Sequence, residues 1–275
     1  MPERSAIQRC VDAGRAPATV ASLRADFDAL GVRPGGLLMV HSAMSSLGYV
    51  IGAATAVVQA LIDVLGPEGT LAMPAFSGDM GDPAPWQDPP VPEAWWPLFR
   101  EHMPPFDPAT TPLRMMGAVA ERFCTWPGTL RSHHPSCSVA ACGPLAEAVT
   151  ANHQLAYGFG ERSPLARLYE HDARVLLLGV THARNSSLHL AELRAEGIGL
   201  EPAKDGAPLL VDGERRWVEY EDASSDGADF EALGEDFARD VGERTGEVAM
   251  ATARLFAQPA LVDYAVTWLE THRSA

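Results

Sequence analysis

"LLMVHSAMSSLGYVIGAATAVVQALIDVLGPEGTLAMP", residues 37–74, is the stretch that decides the fold. It is apolar as far as Val40, becomes small and polar, and then carries apolar residues at helical spacing until Gly66 and Pro67. A second short apolar run follows at residues 70–73. A strand, a helix and a strand in this order indicate two parallel strands, because a parallel pair needs a long crossover connection. We therefore predict an α/β fold with a central mixed, partly parallel sheet flanked by helices.

The same alternation continues on both sides of this unit. Helices are predicted over "ATVASLRADFDALGV", ending at Gly31, over "LRMMGAVAERFCTWPG" and "PLAEAVTANH", and from about Pro164. A buried strand is predicted at residues 175–180. The chain has 275 residues, of which 47% are hydrophobic, so it is long enough to bury a large core. Since no repeat or clear boundary is visible, we expect a single domain over residues 1–275.

Residues 79–105 interrupt the regular pattern. They are rich in proline and hold three of the six tryptophans, so they cannot be regular structure throughout. Long irregular segments inside compact domains are usually functional loops or lids. We interpret this stretch as a Pro/Trp-rich insertion that borders a binding site.

Charge and composition argue against several classes of function. The formal net charge of −15, from 36 acidic and 21 basic residues, would repel phosphate backbones, so we expect no nucleic-acid partner. A cationic ligand would be attracted, although acidity also serves solubility. No apolar run approaches the ~20 residues that cross a bilayer, and the first residues lack a signal-peptide core. We expect no membrane partner, a cytoplasmic location and, because the four cysteines lack C-x-x-C and zinc spacing, free thiols.

The motif "THARNSSLHLAE", residues 181–192, directly follows the predicted strand at 175–180. Ligands of open α/β sheets bind beyond the carboxyl ends of strands, so this position predicts a site. Asn185 suits a helix N-cap, which would leave the backbone N–H groups of Ser186 and Ser187 free. His189 and Glu192 are three residues apart and would share one face of that helix.

Three interpretations of this motif remain open from the residues alone. His189 could be a core residue whose ring nitrogens are satisfied locally. His182, His189 and Glu192 could bind a metal ion, although no H-E-x-x-H spacing is present. His189 could also be a general base, held by a carboxylate and facing a helix N-terminus that stabilises an oxyanion, which indicates acyl transfer or hydrolysis.

Six motifs in order resemble the aminoglycoside 3-N-acetyltransferase family, also called the antibiotic N-acetyltransferases. They are "VHSAMSSLG", "LGPEGTLAMPAFSG", "FDPATTP", "RSHHPSCSVAACG", "VLLLGVTHARNSSLHLAE" and "FEALGEDF", and they extend from about Leu30 to about residue 240. The resemblance implies the α/β fold of that family, acetyl-coenzyme A as donor, and direct transfer without a metal to the 3-amino group of a 2-deoxystreptamine aminoglycoside, which confers antibiotic resistance. It also implies that His189, in the N-[ST]-[ST]-L-H-x-A-E motif, is the catalytic base.

Further roles follow from this family pattern. Ser187 would donate to the thioester oxygen or position the coenzyme, and Glu192 is the first choice for orienting His189, with Asp107 as a rival. For the coenzyme, "HSAMSSLGYVIGAAT" offers hydroxyls and glycines before a helix N-terminus, which makes His41, Ser42 and Ser45 candidates.

The acceptor would be bound by acidic side chains that pair with its ammonium groups, with loop tryptophans covering the sugar faces. The candidates are Asp79, Asp107, Glu219, Glu221 and Asp222. His134, in "RSHHPSCS", is a substrate-site candidate that could equally shape a turn before Pro135.

Other functions remain as alternatives. Cys137 invites an acyl-cysteine mechanism, since a thiolate beside an imidazole is a strong nucleophile. The enzyme could acetylate a non-aminoglycoside natural-product amine, or hydrolyse acetyl-coenzyme A. A non-catalytic protein that binds cationic antibiotics through its acidic face would give His189 no role. The sequence does not fix the oligomeric state, and a homodimer is one assembly that it allows.

Overall fold

A seven-stranded mixed sheet lies at the centre of the computed structural model, which describes residues 2–87 and 89–273. The strands within these ranges are β1 (Leu37–Ser42), β2 (Thr70–Pro74), β3 (Leu130–Arg131), β4 (Val139–Cys142), β5 (Arg174–Leu178), β6 (Pro202–Val211), β7 (Glu214–Ala223), β8 (Arg244–Val248) and β9 (Ala251–Ala257). The sheet order is β3-β4-β2-β1-β5-β9-β8, and β6 and β7 form a separate antiparallel hairpin. Strand β1 runs parallel to β2 and β5, whereas the outer pairings are antiparallel.

Helices cover both faces of the sheet. In the described ranges they are α1 (Pro2–Asp12), α2 (Val20–Leu30), α3 (Ala53–Leu65), α4 (Trp96–His102), α5 (Gly117–Cys124), α6 (Ala146–Thr150), α7 (Pro164–Glu170), α8 (Ser187–Arg194), α9 (Phe230–Asp240) and α10 (Gln258–His272). Alternate residues of β1 enter two different cores, because successive strand side chains point to opposite faces. Leu38 and Val40 pack with α2 and α3, while Leu37 and Met39 pack with α7 to α10. The predicted mixed sheet flanked by helices is confirmed.

The predicted strand, helix and strand are β1, α3 and β2, and the two strands pair in parallel. The predicted helix end at Gly31 is also confirmed, since Gly31 has φ 107° and its N–H donates to the carbonyls of Phe27 and Asp28. One predicted helix begins later than expected. Residues 113–116 are irregular, with Met115 at φ 56°, and α5 starts only at Gly117.

The Pro/Trp-rich insertion is largely irregular and contains the short helix α4. It packs on the β6–β7 hairpin. Arg215 Nε donates to the Met103 carbonyl (2.8 Å), and Arg215 Nη2 donates to the Arg100 carbonyl (2.6 Å). Arg100 and Asp82 form a two-bond ion pair across the insertion (2.8 and 3.0 Å). Within residues 2–87 and 89–273, no helix combines the length and apolar character that crossing a bilayer needs.

Candidate active site

A cleft of about 840 Å³ opens where the three parallel strands β1, β2 and β5 end. This is the edge at which α/β sheets bind ligands, because their loops converge there. Residues following each strand line the cleft, together with the start of α5 and the turn before α8. The lining includes His41, Ser42, Ser45, Phe76, Arg114, Met115, Ser136, Cys137, Phe159, Arg184, Asn185, Ser186, His189 and Phe230.

His189 reaches the cleft from α8. Its ring stacks on Phe159 (centroids 4.7 Å apart, planes at 18°) and lies tilted against Phe230 (4.9 Å, 58°). Its Nδ1 lies 2.8 Å from Glu192 Oε2 and 2.7 Å from Ser225 Oγ. Since Nδ1 is engaged on this side, Nε2 is the ring nitrogen available to a ligand in the cleft.

Glu192 is fully buried beside His189, one helical turn along α8. Its Oε1 accepts a 2.7 Å hydrogen bond from Arg273, and its Oε2 accepts from His189 and Ser225. Burial raises the pKa of Glu192, but the hydrogen bonds from His189, Ser225 and Arg273 outweigh burial and leave that pKa below its usual range. The side chain is therefore a carboxylate, and a carboxylate holds the proton of His189 on Nδ1. Asp107, the rival for this position, instead accepts from the backbone of Ala109 in its own turn (2.8 Å).

The N-terminus of α8 differs from the prediction. Ser186 directly precedes the helix but makes no side-chain cap bond, whereas the side chain of Asn185 caps the helix as predicted, because its Oδ1 accepts from the Ser187 N–H (3.2 Å). The motif alone predicted a free Ser187 N–H, and this prediction is wrong because the N–H is bonded to Asn185. The Ser187 side chain is fully buried behind the cleft, and its Oγ has no hydrogen-bonding partner among the described residues. Ser186, rather than Ser187, lines the cleft.

His182 belongs to a second buried network and does not join His189. Its Nε2 lies 3.1 Å from Glu243 Oε2, and Glu243 Oε1 in turn pairs with Arg254 Nε (3.0 Å). Asn185 Nδ2 donates to His182 Nδ1 over 3.4 Å. His182 and His189 each have their own carboxylate, so the metal set of His182, His189 and Glu192 is not assembled.

The coenzyme candidates from the "HSAMSS" stretch do line the cleft. His41 is the last residue but one of β1 and is almost completely buried, and its Nε2 has no partner in the described part of the chain. Burial, with smaller contributions from the charges of His189 and His182, lowers the pKa of His41 to about 3, so this ring is neutral. Two cleft cations, Arg114 and Arg184, were missed in the sequence, because single arginines in loops carry no recognisable spacing.

The predicted acidic residues are dispersed. Asp79 is exposed and lies 3.9 Å from Arg114 at the cleft rim. On β7, Glu219 and Glu221 are exposed on one face, whereas Asp222 lies on the other, as strand alternation requires.

Asp222, on the inner face of that strand, is close enough to His189 for the two groups to interact electrostatically. Burial raises the pKa of Asp222; a hydrogen bond from the Ala223 N–H lowers it, the Asp205 charge raises it further, and His189 lowers it. Asp205 was not predicted, and it accepts from Tyr220 (2.8 Å) and from the cleft residue Ser136 (3.3 Å).

His134, Cys137 and His153 form a buried cluster with metal-like spacing. The hydrogen bonds show that the rings are already satisfied: His134 Nε2 faces the Leu155 carbonyl (3.0 Å), and His153 Nε2 faces the Gly158 carbonyl (2.7 Å). Both nitrogens must carry protons to donate there, so they are not free ligands.

His134 itself is fully buried, and its Nδ1 accepts the backbone N–H groups of Ser136 and Cys137 (3.2 Å each). The turn interpretation of His134 is therefore favoured over substrate contact. Burial raises the pKa of the Cys137 thiol well above its usual value, and the charges of Asp222 and Asp205 raise it further. A neutral thiol of this kind is a poor nucleophile.

Comparisons with known proteins agree with this architecture. The family model described as aminoglycoside 3-N-acetyltransferase matches residues 39–270. The chain is 39% identical over 263 residues to the prophage-derived aminoglycoside N(3')-acetyltransferase-like protein YokD of Bacillus subtilis, covering 95% of this chain and 96% of YokD. It is 38% identical to aminoglycoside N(3)-acetyltransferase III of Pseudomonas aeruginosa, covering 93% and 94% of the two chains.

Solved structures show the same fold. A binary complex of AAC-IIIb with CoASH superposes with a TM-score of 0.84 at 34% identity, covering 94% of this chain and all of that one. AAC-VIa bound to sisomicin superposes with a TM-score of 0.85 at 29% identity and the same coverage. With a family model across most of its length and relatives above 30% identity, the chain belongs to the aminoglycoside 3-N-acetyltransferase family.

Proposed function

We propose that the cleft transfers an acetyl group to the 3-amino group of 2-deoxystreptamine aminoglycosides, with His189 as general base, and that this activity confers antibiotic resistance. As a member of its family the chain is an acyltransferase, and acetyl-coenzyme A is its co-substrate. The observation that carries the proposal is the contact between His189 Nδ1 and the buried Glu192 carboxylate, beside the cleft at the carboxyl ends of the parallel strands.

In the proposed reaction, the neutral acceptor nitrogen attacks the thioester carbonyl, the N–C bond forms, and the C–S bond breaks. His189 Nε2 takes the proton that the nitrogen loses, and the coenzyme leaves as the thiolate or, after receiving that proton, as the thiol. Glu192 stabilises the imidazolium that forms between these steps. Phe159 and Phe230 fix the ring plane, so that Nε2 keeps one direction into the cleft.

The residues at the end of β1 fit the coenzyme. A cleft of about 840 Å³ is within the range of small-molecule sites, roughly 300–1,000 Å³. Ser42 and Ser45 offer hydroxyls, His41 offers an unpartnered buried nitrogen, and Arg184 offers a cation for phosphate. We propose these side chains for coenzyme binding.

The acidic groups near His189 fit a polycationic acceptor. Asp222 is partly buried and lies close enough to sense both His189 and Asp205. Two neighbouring carboxylates attract ammonium groups, and charge-assisted hydrogen bonds in a partly desolvated site are strong. We propose Asp222 and Asp205 as the acceptor-binding pair, with Asp79 at the rim.

The test measures thiol release from acetyl-coenzyme A with sisomicin, gentamicin and apramycin as acceptors. The wild type is compared with His189→Ala and with the matched control His171→Ala, which removes an exposed histidine after α7. We expect acceptor-dependent release that falls by roughly 10²- to 10⁴-fold in His189→Ala, the usual contribution of a positioned base, and no change in the control.

Other results would overturn parts of the proposal. Release without any acceptor would indicate a hydrolase, and aminoglycoside binding without release would indicate a sequestering protein. Binding of acetyl-coenzyme A without release across the panel would move the acceptor to another natural-product amine. Full activity in His189→Ala would make His189 a structural residue.

A further inference from the structure

We propose that Arg273 is a positioning residue for the general base: it fixes the Glu192 carboxylate and anchors the loop that carries Ser225 against His189. Arg273 follows α10 and is 81 residues from Glu192 in the chain. The inference rests on the proposed function, because it assigns a role relative to the base His189.

Four hydrogen bonds hold the guanidinium of Arg273, which has five N–H donors. Its Nη1 donates to Glu192 Oε1 (2.7 Å), its Nε donates to Asp229 Oδ2 (2.7 Å), and its Nη2 donates to the Asp226 carbonyl (2.6 Å). A further bond joins Nη2 to Asp229 Oδ1. The side chain is only 17% exposed, so these bonds are shielded from water.

Glu192 divides its two oxygens between two tasks. Oε2 accepts from His189 and Ser225, while Oε1 accepts from Arg273. A fully buried carboxylate is costly without a cation, since the neutral form would otherwise be favoured. Arg273 therefore keeps Glu192 ionised and fixes its rotation, so that Oε2 stays aimed at Nδ1.

Arg273 also holds the loop between β7 and α9. Its bonds to Asp226 and Asp229 lie directly after Ser225, whose Oγ contacts both His189 Nδ1 and Glu192 Oε2. One side chain thus connects α10, the Ser225 loop and α8. Without it, the loop and the carboxylate would both lose their anchor.

Charge gives this role a specific signature. The charged and titratable groups that contact Glu192 are His189 on its own helix and Arg273; around His189 lie Asp222 on β7, His41 on β1, and Arg114, Arg184 and Cys137 in the cleft wall. Arg273 compensates Glu192 from the far side. Removing that cation takes away a hydrogen bond that lowers the pKa of Glu192, so this pKa would rise and the buried carboxyl group would take up a proton at higher pH. The acid limb of kcat/KM, on the low-pH side of the profile, would move upward because a protonated Glu192 no longer stabilises the imidazolium, and loss of packing alone would not cause this shift.

The experiment records kcat, KM and the pH profile of kcat/KM for the full chain, with acetyl-coenzyme A and an aminoglycoside that the wild type accepts. Arg273→Met should lower kcat about tenfold through misplacement of the base and raise the acid limb by about one pH unit. Arg273→Lys should restore most of the limb, because the charge returns, but not kcat, because an ammonium cannot span the same acceptors.

The matched control is Arg194→Met. Arg194 also lies on α8, pairs with Glu161 (2.7 and 3.0 Å) and packs over Tyr169, but it does not contact Glu192. The Arg194→Met variant should leave kcat and the acid limb unchanged. An equal limb shift in this control would overturn the proposal, since any cation beside α8 would then suffice.

A wild-type kcat and acid limb in Arg273→Met would also overturn the proposal. If that variant does not fold, Arg273→Lys takes its place because it keeps the charge, and a wild-type kcat in Arg273→Lys would contradict the positioning role. His189→Ala distinguishes failure of the proposed function from failure of this inference. Full activity in His189→Ala contradicts the general base itself. Loss of activity in His189→Ala together with wild-type behaviour of Arg273→Met contradicts only the role of Arg273.

Discussion

Gly234 on α9 lies directly against the ring of His182: a Cβ at position 234 would come within 2.1 Å of His182 Cγ. Real side chains do not approach so closely, so only glycine allows this contact. The other face of the ring stacks on Phe256 (5.1 Å, 25°). The glycine of "FEALGEDF" therefore keeps His182 in reach of Glu243 and Asn185, behind the cleft wall.

Gly234→Ala should destabilise the protein. In an ordinary helix this change would add stability, but here the methyl group meets a ring that cannot move, and overpacking costs about 1–3 kcal/mol. We expect a lower Tm in thermal unfolding. Gly78→Ala is the control, since a Cβ there meets nothing within 4 Å. A Tm unchanged in both variants would show that the His182 ring shifts freely.

Three buried histidines should make the fold sensitive to acid. Burial lowers the pKa of His41 to about 3, of His134 to about 4 and of His153 to about 3, whereas an unfolded histidine titrates near 6.5. Below pH 6.5 the unfolded chain therefore binds more protons than the native one, so stability falls as pH falls. Each group contributes a slope of about 1.4 kcal/mol per pH unit once well below its unfolded pKa.

Urea unfolding at pH 7.5, 6.5, 5.5 and 4.5 measures this slope. His153→Gln should reduce it by about one group's share, 1.4 kcal/mol per pH unit, while the exposed His171→Ala should not change it. A free energy of unfolding that stays constant down to pH 4.5 would contradict the neutral assignment of these rings.

Local sequence patterns predicted much of the fold and the centre of the site. Apolar runs and helix stops located β1, α3 and β2, because each signal lies within a few residues. The i, i+3 spacing placed Glu192 beside His189 for the same reason. The burial of the Ser187 side chain could not be predicted from the motif, because it depends on packing behind the cleft, whereas the bond from its N–H to Asn185 is the one that a cap residue makes.

Long-range partners could not be read in this way. Phe159, Ser225 and Arg273 contact His189 or Glu192 from separate parts of the chain, and their positions follow from tertiary packing alone. The acidic residues of β7 do not form the single cluster that the sequence indicated, for a different reason. Composition suggested one cluster, but the two-residue period of a strand sends Asp222 to the opposite face from Glu219 and Glu221.

Cys137 should not carry the acetyl group, although it lines the cleft beside His134 (Sγ to Nδ1, 3.3 Å). Burial and the nearby carboxylates keep it a thiol, and the thiolate is the reactive form. Intact-mass spectrometry after incubation with acetyl-coenzyme A alone should show an unmodified chain. A stable acetyl adduct mapped to Cys137 would reopen the acyl-cysteine mechanism.

Glu192→Gln tests the charge of the buried carboxylate with little change in shape. The amide can still accept at one atom, but it no longer stabilises the imidazolium, so kcat should fall roughly 10²-fold, at the lower end of general-base effects. It also removes the more buried of the two carboxylates that Arg273 binds, while Asp229 remains, and this loss of charge pairing should appear as a lower Tm. Glu161→Gln is the matched control, because Glu161 pairs with Arg194 at the exposed end of α8, where an ion pair contributes about 0–1 kcal/mol. Loss of stability without loss of kcat in Glu192→Gln would mean that Glu192 serves the fold rather than the base, and His189 would then have to be held by Ser225 alone.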